Sequence, residues 1–471
     1  MLTRLEADGF KNLLDFKVDF GPYTCIAGPN ATGKSNIFDA IEFLSLLADH
    51  SFMEAATRLR SDTRSATDPK SLFYADGPNE LLSMRLAAEM LLPDRVEDDF
   101  GRLASPRSTF VRYELELEYE APESRAHRPY AGRIALKSES LHYIKSGEAK
   151  AHLGWPHSKA NFRDKVVANS RSGTAYISTT TDENGDGVVN VHQDGGSRGQ
   201  PRKSPASRAP RTIVSTTTSS DDPTILAARR EMQNWRTLSF EPSAMRAPNL
   251  ATEQDRISTN GAHLPAALFR LASSLGEDIY AQIASETSAL TDVRAVHVDF
   301  DMQRDLLTLQ AKIGDSPMLP ARALSDGTLR FLALCVIAAD PEYTGVLCME
   351  EPENGIHPGR IEAMVELVRG LAVDPQYAPN LDNPLRQVLV NTHSPFFVQY
   401  QNADDLLLAM AVKVDRDGSE ATTTRLLPLV GSWRDGHGVQ SISREAIMVY
   451  LKSAPGGQLT LPILEGDEFD E

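Results

Sequence analysis

Apolar and polar positions alternate loosely from Leu2 to Val18, and Gly9-Phe-Lys-Asn12 interrupts them as a turn does, so the pattern predicts two strands. Thr24–Ala27 is a short apolar run that leads into Gly28–Ser35. Ile37, Ile41, Leu44 and Ala48 then recur at helical spacing, giving strand, glycine loop and helix. Val111–Glu120 alternates strictly between apolar and mainly acidic residues, the mark of a half-exposed antiparallel strand, and Gly132–Ile144 reads as one or two more. Residues 169–225 are rich in Ser, Thr, Gly, Asp and Pro and are expected to form a long flexible loop. Beyond it the pattern predicts helices broken at Pro242 and Pro248, a helix over Leu264–Leu275, and strands at Val293–Phe300 and Leu306–Ile313. Leu324–Thr328 opens an apolar helix that runs to Ala339. Gly345–Met349 and Arg386–Thr392 each read as a buried strand, with a helix between them ending at Leu371. Strands and a short amphipathic helix fill 404–452, and no internal repeat or sustained heptad is present.

Composition narrows the class. A chain of 471 residues has room for two or three domains, and 41% hydrophobic with 24% charged residues is ordinary for a globular protein. Cys25, Cys335 and Cys348 are too few and too scattered for a disulfide framework or a zinc site. A net charge of −17 argues against non-specific coating of DNA or of an anionic membrane. No apolar stretch reaches membrane-spanning length and the first residues lack a signal-peptide layout, so the expectation is a cytoplasmic protein with no membrane partner. Locally the charge reverses: residues 198–236 hold eight basic side chains against three acidic ones. A solvated loop is the plainer explanation, and a contact for nucleic acid or an acidic partner the alternative. Five of the last seven residues are acidic, an expected disordered tail within 461–471.

Four motifs carry chemistry. In Gly28-Pro-Asn30-Ala31-Thr32-Gly33-Lys34-Ser35 the glycines let successive amides point at phosphate oxygens, and the helix behind adds its positive end. Lys34 is then placed for the β- and γ-phosphates of a nucleotide and the Ser35 hydroxyl for Mg²⁺. The strand ending in Glu350-Glu351-Pro352 delivers two acids beside that loop, Glu350 for the metal shell and Glu351 as the general base. Ser325-Asp326-Gly327-Thr328 starts a helix, where Ser325 is either a simple N-cap or part of a second phosphate-binding face. His393, at the end of Arg386–Thr392, can sense a γ-phosphate oxygen by hydrogen bonding. Asp182-Glu-Asn-Gly-Asp-Gly187 imitates the start of a calcium loop, but Gln193 stands where a Glu is needed and a hairpin turn is expected.

The order of these motifs resembles that of ABC-type ATPase heads, and three phrases are similar to the wording of the RecF/SMC/OLD group of DNA-repair and anti-phage-defence ATPases: Gly28–Asn36, Leu324–Ala333 and Glu350–Pro358. The resemblance covers roughly 1–80 and 315–415 and implies an α/β fold: a P-loop head with a mixed, largely parallel central sheet and an antiparallel β lobe, split by a long α+β insertion. The expected organisation is 1–80 and 316–460 as the two halves of the head, with 81–315 as the inserted lobe. The resemblance also implies a head-to-tail homodimer in which ATP and Mg²⁺ lie between Lys34 of one copy and Ser325/Gly327 of the other. Asn354 would lie in a loop crossing the interface, with Glu351 as base and His393 as sensor. Asp326 and Thr328 depart from the usual signature, and the glutamine loop has no counterpart, the first Gln being Gln193. The implied activity is ATP hydrolysis used as a switch on a separately encoded effector, a nuclease or toxin, in anti-phage defence. The segment after His393 is too short, with too few clustered acids, for a TOPRIM nuclease. A RecF-like repair ATPase that binds DNA is the alternative, and a transporter subunit or a non-hydrolysing scaffold are weaker ones.

Overall fold

Tyr23–Ala27, the apolar run that ends at the glycine loop, is an interior strand of a six-stranded sheet in the computed structural model of the chain. The structure describes residues 1–59, 68–77, 79–121, 132–168, 174–194, 199–416, 418–436 and 440–452. The sheet runs Arg236–Leu238, Gly345–Glu350, Arg386–Thr392, Tyr23–Ala27, Leu406–Arg416, Ser419–Pro428. The first five strands are parallel and the last turns back antiparallel. Every residue of Arg386–Thr392 is buried, because this strand is covered on both faces. Alternate side chains serve two cores. Ile26, Val346, Cys348 and Leu389 join a cluster with Ile37, Ile41 and Leu44 of the helix Lys34–Leu46. Cys25, Leu347, Met349 and Val390 join another with the helices Leu264–Leu275, Asp326–Ala339 and Ile361–Gly370.

An eight-stranded antiparallel sheet closes the first core from the far side. Its order is Arg202–Pro205, Gly187–Val191, Ile177–Thr181, Arg133–Tyr143, Phe110–Glu120, Ser83–Leu91, Leu2–Asp8, Phe16–Asp19. The strict alternation of Phe110–Glu120 is explained by its two faces. Tyr113, Leu115 and Leu117 enter the core, while Arg112 and Glu114 belong to a lattice of ion pairs on the other face with Glu6, Glu89 and Arg85.

Three expectations are corrected. First, residues 81–315 are not one inserted lobe. Ser83–Leu91 pairs directly with the N-terminal strand Leu2–Asp8, and Arg236–Leu238 pairs with Gly345–Glu350, so most of the stretch completes the two sheets of the head. A separate small sheet, Asn249–Leu250, Leu306–Ile313 and Val293–Asp301, backed by Leu264–Leu275 and Asp278–Ser288, is confined to the end of it. Second, the polar stretch 169–225 is not one long loop. Ile177–Thr181, Gly187–Val191 and Arg202–Pro205 extend the large sheet, because backbone pairing with an existing edge needs few large apolar side chains. The hairpin turn expected at Asp182–Asp186 is present, with the Asp182 carboxylate accepting from the amides of Asn184 and Asp186. Third, Pro242 does not break a helix but begins one, Pro242–Arg246, where its missing N–H costs nothing. The tail 461–471 and Arg198 lie outside the described residues. Among the described residues no helix is long and apolar enough to cross a membrane.

Candidate active site

The glycine loop is shaped by left-handed backbone. Ala31 has φ +65° and Gly33 φ +90°, and helix Lys34–Leu46 begins directly after Gly33. Gly33 is required twice over, since a Cβ there would lie 2.1 Å from Thr424 Oγ1 and 2.3 Å from Asn12 Nδ2. Those two side chains brace the loop from outside. Asn36 donates to Asn12 Oδ1 (2.7 Å), Asn12 to Thr424 Oγ1 (2.9 Å), and Thr424 to the Thr32 carbonyl (2.8 Å). Lys34 is buried and its ammonium donates to the carbonyls of Gly28 (2.7 Å) and Pro29 (2.6 Å). Burial lowers the Lys34 pKa, against the pull of Glu351 and Glu350.

The parallel register brings the other motifs to the same end of the sheet. Ala27 lies beside Thr392, and Asn391 beside Glu350, so the loop, the paired acids and His393 all leave the carboxyl ends of adjacent strands. Arg386–Thr392 separates the loop strand from the acid strand. Asn391 donates to Glu350 Oε1 (3.1 Å). Glu351 sits at φ +47°, a strained position for a residue with a Cβ, and its amide donates to the Asn391 carbonyl (2.9 Å). That turn aims its carboxylate at His393, with Oε1 and Nδ1 2.6 Å apart. Behind them Thr392 donates to the buried Glu353 carboxyl and accepts from the Ser394 amide (2.9 Å), bracketing His393. Burial raises the Glu353 pKa.

Asn30, Ala31, Gly33, Lys34, Ser35, Asn36, Glu350 and Glu351 therefore line one cavity of about 300 Å³, together with Asn12 and Asn391. Gly28 and Thr32 shape the loop from behind, and a Cβ on Gly28 would come 2.8 Å from the Ala409 carbonyl. Loop amides, a buried ammonium, a hydroxyl and two carboxylates make a donor set that fits a triphosphate with a divalent cation between Ser35 and Glu350. Ser325, Asp326, Gly327 and Thr328 do not line this cavity. Ser325 caps the helix Asp326–Ala339 by accepting from the Thr328 amide (3.2 Å), and Asp326 pairs with Arg246. Asn354 is tied to the same helix, its carbonyl accepting from Arg330 Nη1 (2.7 Å). Asn12, Thr424, Asn391, Glu353 and Arg246 escaped the sequence reading. The sequence places Asn12 only in a turn, Asn391 only at the strand end before His393 and Glu353 only within the Glu350–Pro358 phrase, each without a role, and no local pattern marks Thr424 or Arg246.

Four of the eight basic residues in the stretch 198–236 are engaged within the chain. Arg202 pairs with Asp222, Arg229 with Asp49 (2.9 Å) and Arg230 with Asp99 (2.5 Å), while Arg236 lies over the Tyr343 ring at 4.6 Å.

The chain has partial likenesses to known proteins. Residues 207–399 match the family model described as "AAA domain, putative AbiEii toxin, Type IV TA system". A segment of 50 residues is 44% identical to the DNA replication and repair protein RecF of Lactobacillus gasseri, covering 10% of this chain and only 13% of that protein. Among solved structures, an SMC head bound to the C-winged helix domain of ScpA is 15% identical, with 91% of this chain and 98% of that chain covered and a TM-score of 0.49. The SMC head domain from Thermotoga maritima is 12% identical over 91% and 98% of the two chains, with a TM-score of 0.37.

Proposed function

We propose that this chain, a P-loop ATPase of the RecF/SMC-like kind, hydrolyses ATP as a conformational switch built on a head-to-tail dimer. The observation that carries the reading is the meeting of Lys34, Ser35, Glu350 and Glu351 in one cavity, with His393 hydrogen-bonded to Glu351. Lys34 leaves the Gly28 and Pro29 carbonyls to bind the β- and γ-phosphates. Loop amides hold the remaining phosphate oxygens, and Glu351 orients a water and accepts its proton. His393 exchanges its bond to Glu351 for one to the γ-phosphate, which frees the base when ATP is present. Ser35 and Glu350 would hold a Mg²⁺ ion, which when bound would screen the phosphate charges. Ser325, Gly327 and Asn354 complete the pocket of a second copy, a reading supported by their absence from the lining of the loop cavity in their own chain.

In this reading the dimer controls a separately encoded effector, a nuclease or toxin, in anti-phage defence. The likeness to a family model whose description includes a toxin supports it. A second reading, an ATPase acting on DNA, is favoured by the 50-residue likeness to RecF. The experiment is ATP turnover measured with and without duplex DNA and over a range of protein concentrations. Turnover per chain that rises with concentration supports the dimeric switch. Turnover independent of dilution sinks it. Stimulation by DNA that fades steeply with salt favours the second reading.

A further inference from the structure

Asp326, the first residue of its helix, has a carboxylate 61% exposed, on the face that the composite-pocket reading turns toward another copy's triphosphate. A bare carboxylate there would repel the phosphates. Arg246, the last residue of Pro242–Arg246, stands against it. Its Nη2 donates to the Leu324 carbonyl (2.9 Å) and pairs with the Asp326 carboxylate. Both contacts use the same nitrogen. Nε and Nη1 make no hydrogen bond among the described residues, and the side chain remains 28% exposed. The preceding Met245 is fully buried in the helical core, which fixes where Arg246 emerges.

Gly327 adds an independent sign. Nothing lies within 4 Å of the position its Cβ would take, and its φ is not in the left-handed region. Neither packing nor backbone geometry within the chain calls for glycine at this second residue of the helix. A bare surface beside a half-committed guanidinium fits the close approach of a group from outside the chain.

We propose that Arg246 is a catalytic residue acting in trans. Its guanidinium crosses the dimer interface to the γ-phosphate of ATP held by the phosphate loop of a second copy, and Asp326 holds the fork in place until that copy arrives. The proposal rests on the composite-pocket reading and deepens it. Once Asp326 releases Nη2, the guanidinium can present Nη1 and Nη2 to two phosphate oxygens at once, which an ammonium cannot do. In the reaction the water oxygen bonds to phosphorus, the bond to the bridging oxygen of ADP breaks, and the water's proton passes to Glu351. Arg246 neutralises the charge that gathers on the phosphoryl oxygens during that exchange. The segment that bears it begins beside the acids of its own pocket, since Ser239 and Phe240 share a second cavity with Glu350 and Glu351. One short span thus joins the two pockets of a dimer.

The test is complementation between inactive variants. Arg246→Ala is expected to melt as the wild type does, to bind ATP through its own loop, and to lose turnover by about 10³-fold or more. Lys34→Ala is inactive through its loop but keeps Arg246. Mixing the two restores turnover, because one pocket of the mixed dimer has both parts. Millimolar guanidinium restores turnover to Arg246→Ala alone, a rescue that a merely structural arginine would not show. Arg246→Lys, the substitute should the alanine variant fold poorly, keeps the charge without the fork and remains impaired. Glu351→Gln separates the two layers of the argument. If it dimerises with ATP while the mixture stays inactive or guanidinium gives no rescue, Arg246 has no trans role and the composite pocket stands. If Arg246→Ala turns over at the wild-type rate, the proposal likewise fails alone. If Glu351→Gln stays monomeric at saturating ATP, both fall together.

Discussion

Lys34, Gly33 and Glu351 each hold a position that costs the folded chain something. Lys34 is buried with its charge satisfied by two carbonyls, so removing the ammonium relieves desolvation while removing the phosphate contact. Lys34→Ala should therefore melt no earlier than the wild type and yet lose nucleotide binding, measured by calorimetric titration. Gly33→Ala meets both a left-handed backbone and a 2.1 Å approach to Thr424 Oγ1. It should destabilise by about 1–3 kcal/mol in chemical denaturation and weaken nucleotide binding as well. Glu351 carries strain at φ +47° and a 2.6 Å bond to His393. Glu351→Gln keeps the shape but cannot take a proton, so single-turnover hydrolysis should slow by about 10²–10⁴-fold with ATP affinity retained. The local phrase identified these three residues because a phosphate loop and an acid-ended strand are contiguous in sequence. Asn12 and Thr424 were invisible by the same logic: they brace one loop from positions 412 residues apart.

The elements show where pattern suffices and where it misleads. Buried parallel strands such as Gly345–Glu350 were legible because both faces are covered and the run is mostly apolar. Ile177–Thr181 and Gly187–Val191 were not, because a strand at the margin of a large sheet is held by backbone pairing and can be written in Ser, Thr and Gly. One element contact has a pH signature. Glu139, fully buried on Arg133–Tyr143, accepts from the amides of Ile213 (2.7 Å) and Val214 (3.1 Å) and from the Tyr113 hydroxyl (3.1 Å). Burial pushes its carboxyl up to about 7 from an ordinary 4.5, against the pull of those three donors. The folded chain therefore keeps a proton that the unfolded chain has released between these values. The resulting stability, about 3 kcal/mol at most, is present below pH 4.5 and lost as pH rises through 7. Denaturation of the wild type and of Glu139→Gln at pH 5 and pH 8 checks the sign, since the decline on raising the pH should be larger in the wild type by that amount.

For the whole molecule, the decisive arrangement is that one end of a parallel sheet gathers the loop, the acids and His393, while Ser325–Thr328 starts a helix outside that cavity. The dimeric reading predicts that Glu351→Gln accumulates as an ATP-dependent dimer in sedimentation and that Ser325→Arg blocks this dimer without unfolding the monomer. The ion pairs of Arg229 and Arg230 further predict that these two side chains carry no DNA affinity, so replacing both by Gln should leave any DNA binding unchanged in a filter-binding assay. The chain's own order of residues was enough to determine the phosphate loop, the acid-ended strand, the capped helix and the class of fold, because each is encoded by neighbours a few positions apart and by the period of its apolar side chains. Only tertiary structure decided that the strands from Ser83–Leu91 to Arg202–Pro205 join the sheet of the N-terminal strand, that Arg229 and Arg230 of the basic stretch are paired with distant acids, and that Arg246 stands beside Asp326. Strand partners and ion pairs are chosen among distant residues by whichever edge or opposite charge the fold brings close, and that choice leaves no trace in local spacing.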